Sequence, residues 1–287
     1  MNSKPRNHHR IVIVTGASSG IGRATAVAFA RDGATVVLVS RSLRNLERVA
    51  EEIRRFNPKV AAIAADVSSQ QQVEAMVAAV EREFGRIDVL VNNAGTSAVG
   101  PVAGTSFVAD AERLLATSFF GKVFAVRAVL SAMRRQGQGH IVNLSSVAGR
   151  KALPDFGAYS ATLHAVTGFS DSLRQELHGS GIGVTTVLPS LAQTALFDGV
   201  APDRLPALFR QMKSVSADAV ANAIVRAVYR QQPWVVVPWQ PRWLLWADAL
   251  SVRLGDWFVR QLSRPPLLRL LGLYRGRHEA AETGKPV

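Results

Sequence analysis

The sequence predicts an α/β fold: a doubly wound, mainly parallel sheet of seven strands with helices on both faces. Three observations predict it. Short β-branched runs alternate with longer segments of helical period through the first two-thirds of the chain. Several of these runs are apolar at consecutive positions, the pattern of strands covered on both faces. The intervening segments are long enough for crossover helices, and right-handed crossovers leave few topologies.

Taken in order, the strand-like runs are Ile11–Thr15, Thr35–Ser40, Val60–Ala64, Val89–Val91, His140–Leu144 and Gly183–Leu188, with a later one at Trp234–Pro238. Between them Arg23–Arg31, Leu43–Arg55, Gln71–Phe84, Ala111–Arg134 and Gly157–Leu177 read as helices. Ligands of such a sheet bind beyond the carboxyl ends of its strands. No internal repeat or low-complexity tract interrupts the alternation, so residues 1–240 are expected to form one domain.

Composition narrows the function classes. The 287 residues are 48% hydrophobic and 19% charged, which suits a globular chain with a sizeable core. The absence of cysteine excludes a disulfide scaffold, thiol catalysis and Cys-ligated metal sites. The formal net charge is +13, yet the basic residues are scattered. Zinc-finger spacing, an RNA-binding aromatic motif and a basic zipper are all absent, so specific nucleic-acid binding is not expected. Met1 to Arg10 is polar and basic without an apolar core, and no run approaches the roughly 18–20 apolar residues of a membrane span. A cytoplasmic protein is the expectation.

Chemistry begins at the first strand–helix junction, Thr15-Gly16-Ala17-Ser18-Ser19-Gly20-Ile21-Gly22. Glycines there remove side chains where a backbone must approach a pyrophosphate, and free amides at a helix start favour an anion. Glycines also make ordinary turns, but this placement points to a dinucleotide. Farther along stand Asp66 in Ala65-Asp66-Val67, Asn92-Asn93-Ala94-Gly95, the pair Ser145-Ser146, Tyr159, and Pro189 followed by Thr194. In order and spacing these residues resemble the short-chain dehydrogenase/reductase family over roughly residues 10–240. The resemblance implies a Rossmann-type sheet, a nicotinamide cofactor, and hydride exchange between an alcohol and a carbonyl.

The second strand's end bears on which cofactor. Where an acidic residue would accept from the adenosine ribose hydroxyls, this chain has Ser40-Arg41. A guanidinium suits a 2′-phosphate, so NADP(H) is expected, unless Arg41 is simply a solvated helix-start residue. By resemblance, Gly16, Ser18, Ser19, Gly20, Ile21 and Gly22 bind the cofactor's phosphates, and Asp66 and Val67 meet its adenine. Asn93, Ala94 and Gly95 line the adenosine side, although Asn92 and Asn93 serve equally as a structural turn. Pro189, Leu191 and Thr194 pass the nicotinamide, with backbone amides at Leu191 and Ala192 and a hydroxyl at Thr194. Ser190 replaces the family's glycine and narrows the backbone's freedom there.

Ser146 and Tyr159 stand thirteen residues apart, the spacing of the family's catalytic serine and tyrosine. A hydroxyl at the strand end polarises a carbonyl, and a phenol donates the proton as hydride arrives. Ser145 is the alternative serine. The chain departs from the family at two places. The lysine of Tyr-x-x-x-Lys is Leu163, and the asparagine three before the glycine of the central helix is Ser118, ahead of Gly121. Without a neighbouring cation, Tyr159 is expected near the ordinary tyrosine value of about 10, protonated at neutral pH. Such a phenol suits carbonyl reduction and is a poor base for alcohol oxidation, so a weakened reductase is expected. A catalytically inactive NADP-binding scaffold or sensor is the alternative. His164 lies about 100° farther around the helix and is not expected to substitute.

Residues 195–214 occupy the place of the family's substrate lid. Phe197, Leu205, Leu208, Phe209 and Met212 suggest a lipophilic alcohol or carbonyl substrate, or mere packing. Phe119, Val123, Val126, Phe169 and Leu173 fit either a core or the helical contact through which many relatives form homo-oligomers. Residues 241–287 read as a basic, Trp-rich extension. All five tryptophans, Trp234, Trp239, Trp243, Trp246 and Trp257, gather near it. Arg242–Leu262 is expected to form one amphipathic helix, stopped by Pro265-Pro266. Such a helix suits a lipid headgroup boundary, a cover over a substrate pocket, or a subunit contact.

Overall fold

The computed structural model describes residues 10–197, 200, 205, 213–262 and 270. Seven parallel strands form one sheet in the order β3-β2-β1-β4-β5-β6-β7. They are β1 Ile11–Thr15, β2 Thr35–Ser40, β3 Val60–Ala64, β4 Val89–Asn92, β5 Gly139–Leu144, β6 Ile182–Pro189 and β7 Trp234–Val237. The helices are α1 Gly20–Arg31, α2 Leu43–Arg54, α3 Gln70–Phe84, α4 Phe107–Leu114, α5 Gly121–Gln136, α6 Gly157–Glu176, α7 Ala217–Arg230, α8 Arg242–Leu250 and α9 Val252–Leu262.

Strand residues alternate between two cores. Val12 and Val14 join Val36, Leu38 and Val91 on the face covered by α1, α2 and α7. Ile11 and Ile13 join Val37, Val39 and Leu90 on the face covered by α3, α5 and α6. Burial on both faces is why these strands read as continuous apolar runs. From β1 the chain builds outward to β3, then returns past β1 to β4 and proceeds to β7. That reversal separates the loops leaving β1 and β4 and opens a crevice at their carboxyl ends.

Two helical expectations need correction. The segment read as Ala111–Arg134 is longer and is interrupted, because α4 and α5 join through a π turn at Leu115–Phe120. The 30 residues 107–136 are long and apolar enough by composition to cross a membrane. They instead pack against α3 and α6. The helix expected at Arg242–Leu262 breaks at Ser251, whose backbone is extended (φ −162°, ψ 128°). The break folds α9 onto α8, where a Cβ on Gly255 would come within 2.8 Å of Asp248 Cβ. One cation closes the pair: Lys151 Nζ lies 2.7 Å from Asp248 Oδ1 and 2.6 Å from Asp256 Oδ1. Leu208, Phe209 and Met212, expected in a lid, lie outside the described residues, as do Pro265 and Pro266.

Candidate active site

A cleft of about 530 Å³ runs along the carboxyl ends of the strands. Its first wall is the turn after β1. Gly16 adopts φ +66°, and a Cβ there would stand 2.7 Å from Asn93 Nδ2 and 2.9 Å from Ala94 Cα. The turn is knitted to the end of β4. Asn93 Nδ2 donates to Thr15 O (3.0 Å) and Gly16 O (3.2 Å), while the amides of Asn93 and Ala94 both donate to Thr15 Oγ1 at 3.1 Å. Asn93 therefore braces the loop that it also lines. Asn92 turns inward instead: its Nδ2 donates to Asn143 Oδ1 at 3.0 Å and to Lys122 O at 3.3 Å.

At one end of the cleft stand Ser40, Arg41, Asp66 and Val67. The Asp66 carboxylate accepts from Ser68 Oγ (2.7 Å) and Ser68 N (2.9 Å). Those bonds, aided by the Arg41 charge, hold its pKa below the usual carboxylate range. Arg41 is exposed and presents the positive charge at this end.

At the other end stand Ser146, Tyr159, Pro189 and Thr194. Ser146 Oγ donates to Pro189 O at 3.2 Å and accepts from Ala148 N at 3.2 Å. The Tyr159 phenol stands in the same cleft, where the Ser146 hydroxyl favours its ionised form. Ser145, the alternative serine, is committed elsewhere: its hydroxyl donates to Leu163 O at 3.1 Å and meets Thr167 Oγ1 at 3.1 Å. Tyr159 packs against Phe156 and Phe197 with ring centroids 5.6 and 6.0 Å away. Burial pushes its pKa up to about 12, against the lowering effect of the Ser146 hydroxyl. The value near 10 expected from the missing lysine thus omitted desolvation.

Two expected residues do not line the cleft. Gly22 supports the turn from behind, where a Cβ would collide with Gly16 O. Leu191 packs against the apolar cluster around Tyr159 and Leu163, and its carbonyl accepts from Val215 N at 2.8 Å. His164 is exposed, with Nδ1 2.8 Å from Ser160 O, and is not among the residues lining the cleft.

Leu163 lines the cleft where the family's lysine would stand. Ser118 lies close by, and its Oγ accepts from Thr96 N at 3.1 Å. Sequence reasoning missed Lys122. This residue is 3% exposed, lines the cleft four residues beyond Ser118, and donates from Nζ to Ala94 O at 2.7 Å. Desolvation lowers its amine to about 7. Its signal in the sequence is a lysine set in an otherwise apolar stretch, Gly121-Lys122-Val123-Phe124-Ala125-Val126.

These residues fit a dinucleotide. The glycine turn leaves room where side chains would intrude, and Thr96 Oγ1 and Ser190 Oγ are buried cleft-wall atoms with no hydrogen-bond partner among the described residues. Unpaired polar atoms of this kind are costly unless a ligand completes them. Among the described residues no group of three or more His, Cys, Asp or Glu side chains could hold a metal ion.

Known proteins share this plan. The pattern described as short chain dehydrogenase matches residues 10–205. The "Dehydrogenase/reductase SDR family protein 7-like" of Drosophila melanogaster is 32% identical over 236 residues, 79% of this chain and 72% of that one. The "Ketoacyl reductase HetN" of a Nostoc species is 34% identical over 233 residues, covering 81% of this chain and 79% of that protein. The crystal structure of levodione reductase superposes with a TM-score of 0.73 at 29% identity, covering 81% of this chain and 97% of that one. A glycine turn braced from β4, a strand-end serine sharing the cleft with a buried tyrosine, and a matching pattern over most of the chain lead to one conclusion: this chain belongs to the short-chain dehydrogenase family of oxidoreductases.

Proposed function

We propose that the protein reduces a lipophilic ketone or aldehyde with NADPH. The observation that carries this reading is the Ser146–Tyr159 pair, set at one end of a cleft whose other end carries Arg41. When bound, the coenzyme supplies the hydride. Ser146 turns its hydroxyl from Pro189 O to the substrate oxygen and polarises the carbonyl. Tyr159, held neutral by burial, donates a proton to the oxygen as the alcohol forms. The same raised pKa makes it a poor base, so the oxidative direction is the weaker one. Leu163, Leu196 and Phe197 on the cleft wall favour an apolar substrate. The names of two relatives, a levodione reductase and a ketoacyl reductase, support reduction of a ketone. Arg41 favours NADPH, because a guanidinium attracts a 2′-phosphate.

A panel of aliphatic, aromatic and acyl-chain carbonyls assayed by loss of NADPH absorbance tests the reading. Turnover with a lipophilic carbonyl is expected, lowered by about 10²–10⁴-fold in Tyr159→Phe. Coenzyme binding without turnover on any carbonyl favours the second reading, a nucleotide-holding scaffold or sensor, for which Leu163 in place of the family lysine is the specific support.

We propose further that α8 and α9 rest on an anionic membrane surface. Trp243 and Trp246 are 51% and 50% exposed with ring centroids 5.0 Å apart, and Leu250 beside them is 83% exposed. Lys151 bridges Asp248 and Asp256, and with Arg242, Arg253 and Arg260 the four basic groups outnumber the two carboxylates. Tryptophan with arginine suits anionic headgroups. Co-sedimentation with phosphatidylserine vesicles, lost on Trp243→Ser with Trp246→Ser, is expected; no sedimentation of the native protein overturns it. Phe119, Phe120 and Phe124 form a partly exposed aromatic row that supports a homo-oligomer, which light scattering of the purified chain checks.

A further inference from the structure

Lys122 opens α5 and is fixed from several sides. Asn92 Nδ2 holds its carbonyl at 3.3 Å, and Ala94 O accepts from its Nζ at 2.7 Å. The residue before it, Gly121, is pressed on Val67 so closely that a Cβ would come within 2.9 Å of Val67 Cγ2. The π turn Leu115–Phe120, just upstream, carries one extra residue per turn and so rotates the start of α5 about the helix axis. The outcome is an amine in the cleft wall with Ser118, Leu163 and Tyr159.

Among the described residues only Ala94 O accepts from this amine, which has three protons to give when charged. Burial alone shifts it, and no carboxylate offsets the cost. An uncompensated buried amine destabilises a fold, and its persistence in a cleft indicates that a ligand completes it. The tyrosine helix meanwhile presents Leu163, which neither donates nor carries charge.

We propose that Lys122 supplies, from α5, the cation that the Leu163 position lacks, donating to the nicotinamide-ribose hydroxyls of the coenzyme and orienting that end of it beside Tyr159. This assignment rests on the oxidoreductase reading above. The other ionisable groups around it are either distant or engaged. Tyr159 of α6 shares the cleft, and Arg41 and Asp66 stand at its far end. Glu81 of α3 pairs with Arg135 of α5, about 20 Å along that helix. Asp88, just before β4, pairs with Arg86, and Asp171 of α6 with Arg150 and Arg174. His140 lies at the opposite end of β5, against Thr185 and Gln231.

Calorimetry of NADPH binding at pH about 8, in two buffers of different protonation enthalpy, tests the assignment through proton linkage. The largely neutral amine regains its proton on binding, so the native protein takes up close to one proton per coenzyme and Lys122→Met takes up none. The variant binds about ten- to a hundredfold more weakly, the loss expected for one or two charge-assisted hydrogen bonds. Adding Leu163→Lys to Lys122→Met restores the affinity by returning a cation from the other helix. Equal proton uptake and affinity in native protein and variant overturn the assignment. So does weaker binding that Leu163→Lys leaves unrestored, since that outcome marks a structural role. Failure of the native protein to bind either coenzyme overturns the oxidoreductase reading itself. Thermal unfolding controls for folding, because methionine in place of an uncompensated amine keeps or raises Tm.

Discussion

In the proposed reading, Arg41 carries the choice between the two coenzymes. It stands at the carboxyl end of β2, where no carboxylate among the described residues bonds it, while the nearby Asp66 accepts from Ser68 at Oδ1. Replacing the guanidinium by a carboxylate, Arg41→Asp, would repel a 2′-phosphate and accept from ribose hydroxyls. The affinity ratio of NADPH to NADH is therefore expected to fall by about a hundredfold or more, consistent with a lost charged contact plus a new repulsion. An unchanged ratio in fluorescence titrations contradicts the role of Arg41. The places of Arg41, Ser146 and Tyr159 on the cleft wall were legible in the sequence because each sits at a fixed offset from a strand end or from another motif. Lys122 was not. Its importance depends on the rotation of a helix and on the loss of a partner from another helix, and neither has a local signature. The Tyr159 pKa was legible only in part, since charge spacing is written in the sequence and desolvation is a property of packing.

At the scale of elements, the strands were legible to within a residue or two because burial on both faces leaves long β-branched runs between helical segments. The π turn was invisible: one added residue in a continuous apolar helix leaves the hydrophobic pattern nearly unchanged. The break at Ser251 was equally hidden, for the apolar spacing across Arg242–Leu262 suits one helix or two. What decides for two is tertiary, namely the close packing of Gly255 on Asp248 and the shared bridge to Lys151. Removing that bridge with Lys151→Met is expected to loosen α8 and α9 while the sheet stays folded. Limited proteolysis then cleaves near Ser251 several-fold faster, with the melting of the sheet core little changed. Identical cleavage rates in both proteins contradict the account of the break.

For the whole molecule, the sheet order, with its reversal between β1 and β4, is one of the few topologies that right-handed crossovers leave, and it fixes where the cleft lies. Two buried bases tie global stability to pH. Burial lowers His140 to about 4 and Lys122 to about 7, so the folded state binds fewer protons than the unfolded one. Stability therefore rises with pH across each window, from about 4 to 6.5 for His140 and from about 7 to 10.5 for Lys122. At about 1.4 kcal/mol per unit, each group contributes on the order of a few kcal/mol. Melting curves taken from pH about 5 to 9 should climb, and Lys122→Met should flatten the alkaline part. A native Tm that falls across this range contradicts the burial of both bases. The central claim concerns the cleft as a path for hydride from nucleotide to carbonyl, with Tyr159 giving the proton. The most direct measurement tracks deuterium from the reactive carbon of labelled NADPH into the alcohol formed from a lipophilic carbonyl. The account predicts label in the product for the native protein and a loss of about 10²–10⁴-fold in rate for Tyr159→Phe. Bound coenzyme with no label transferred to any carbonyl, or equal transfer by Tyr159→Phe, would contradict it.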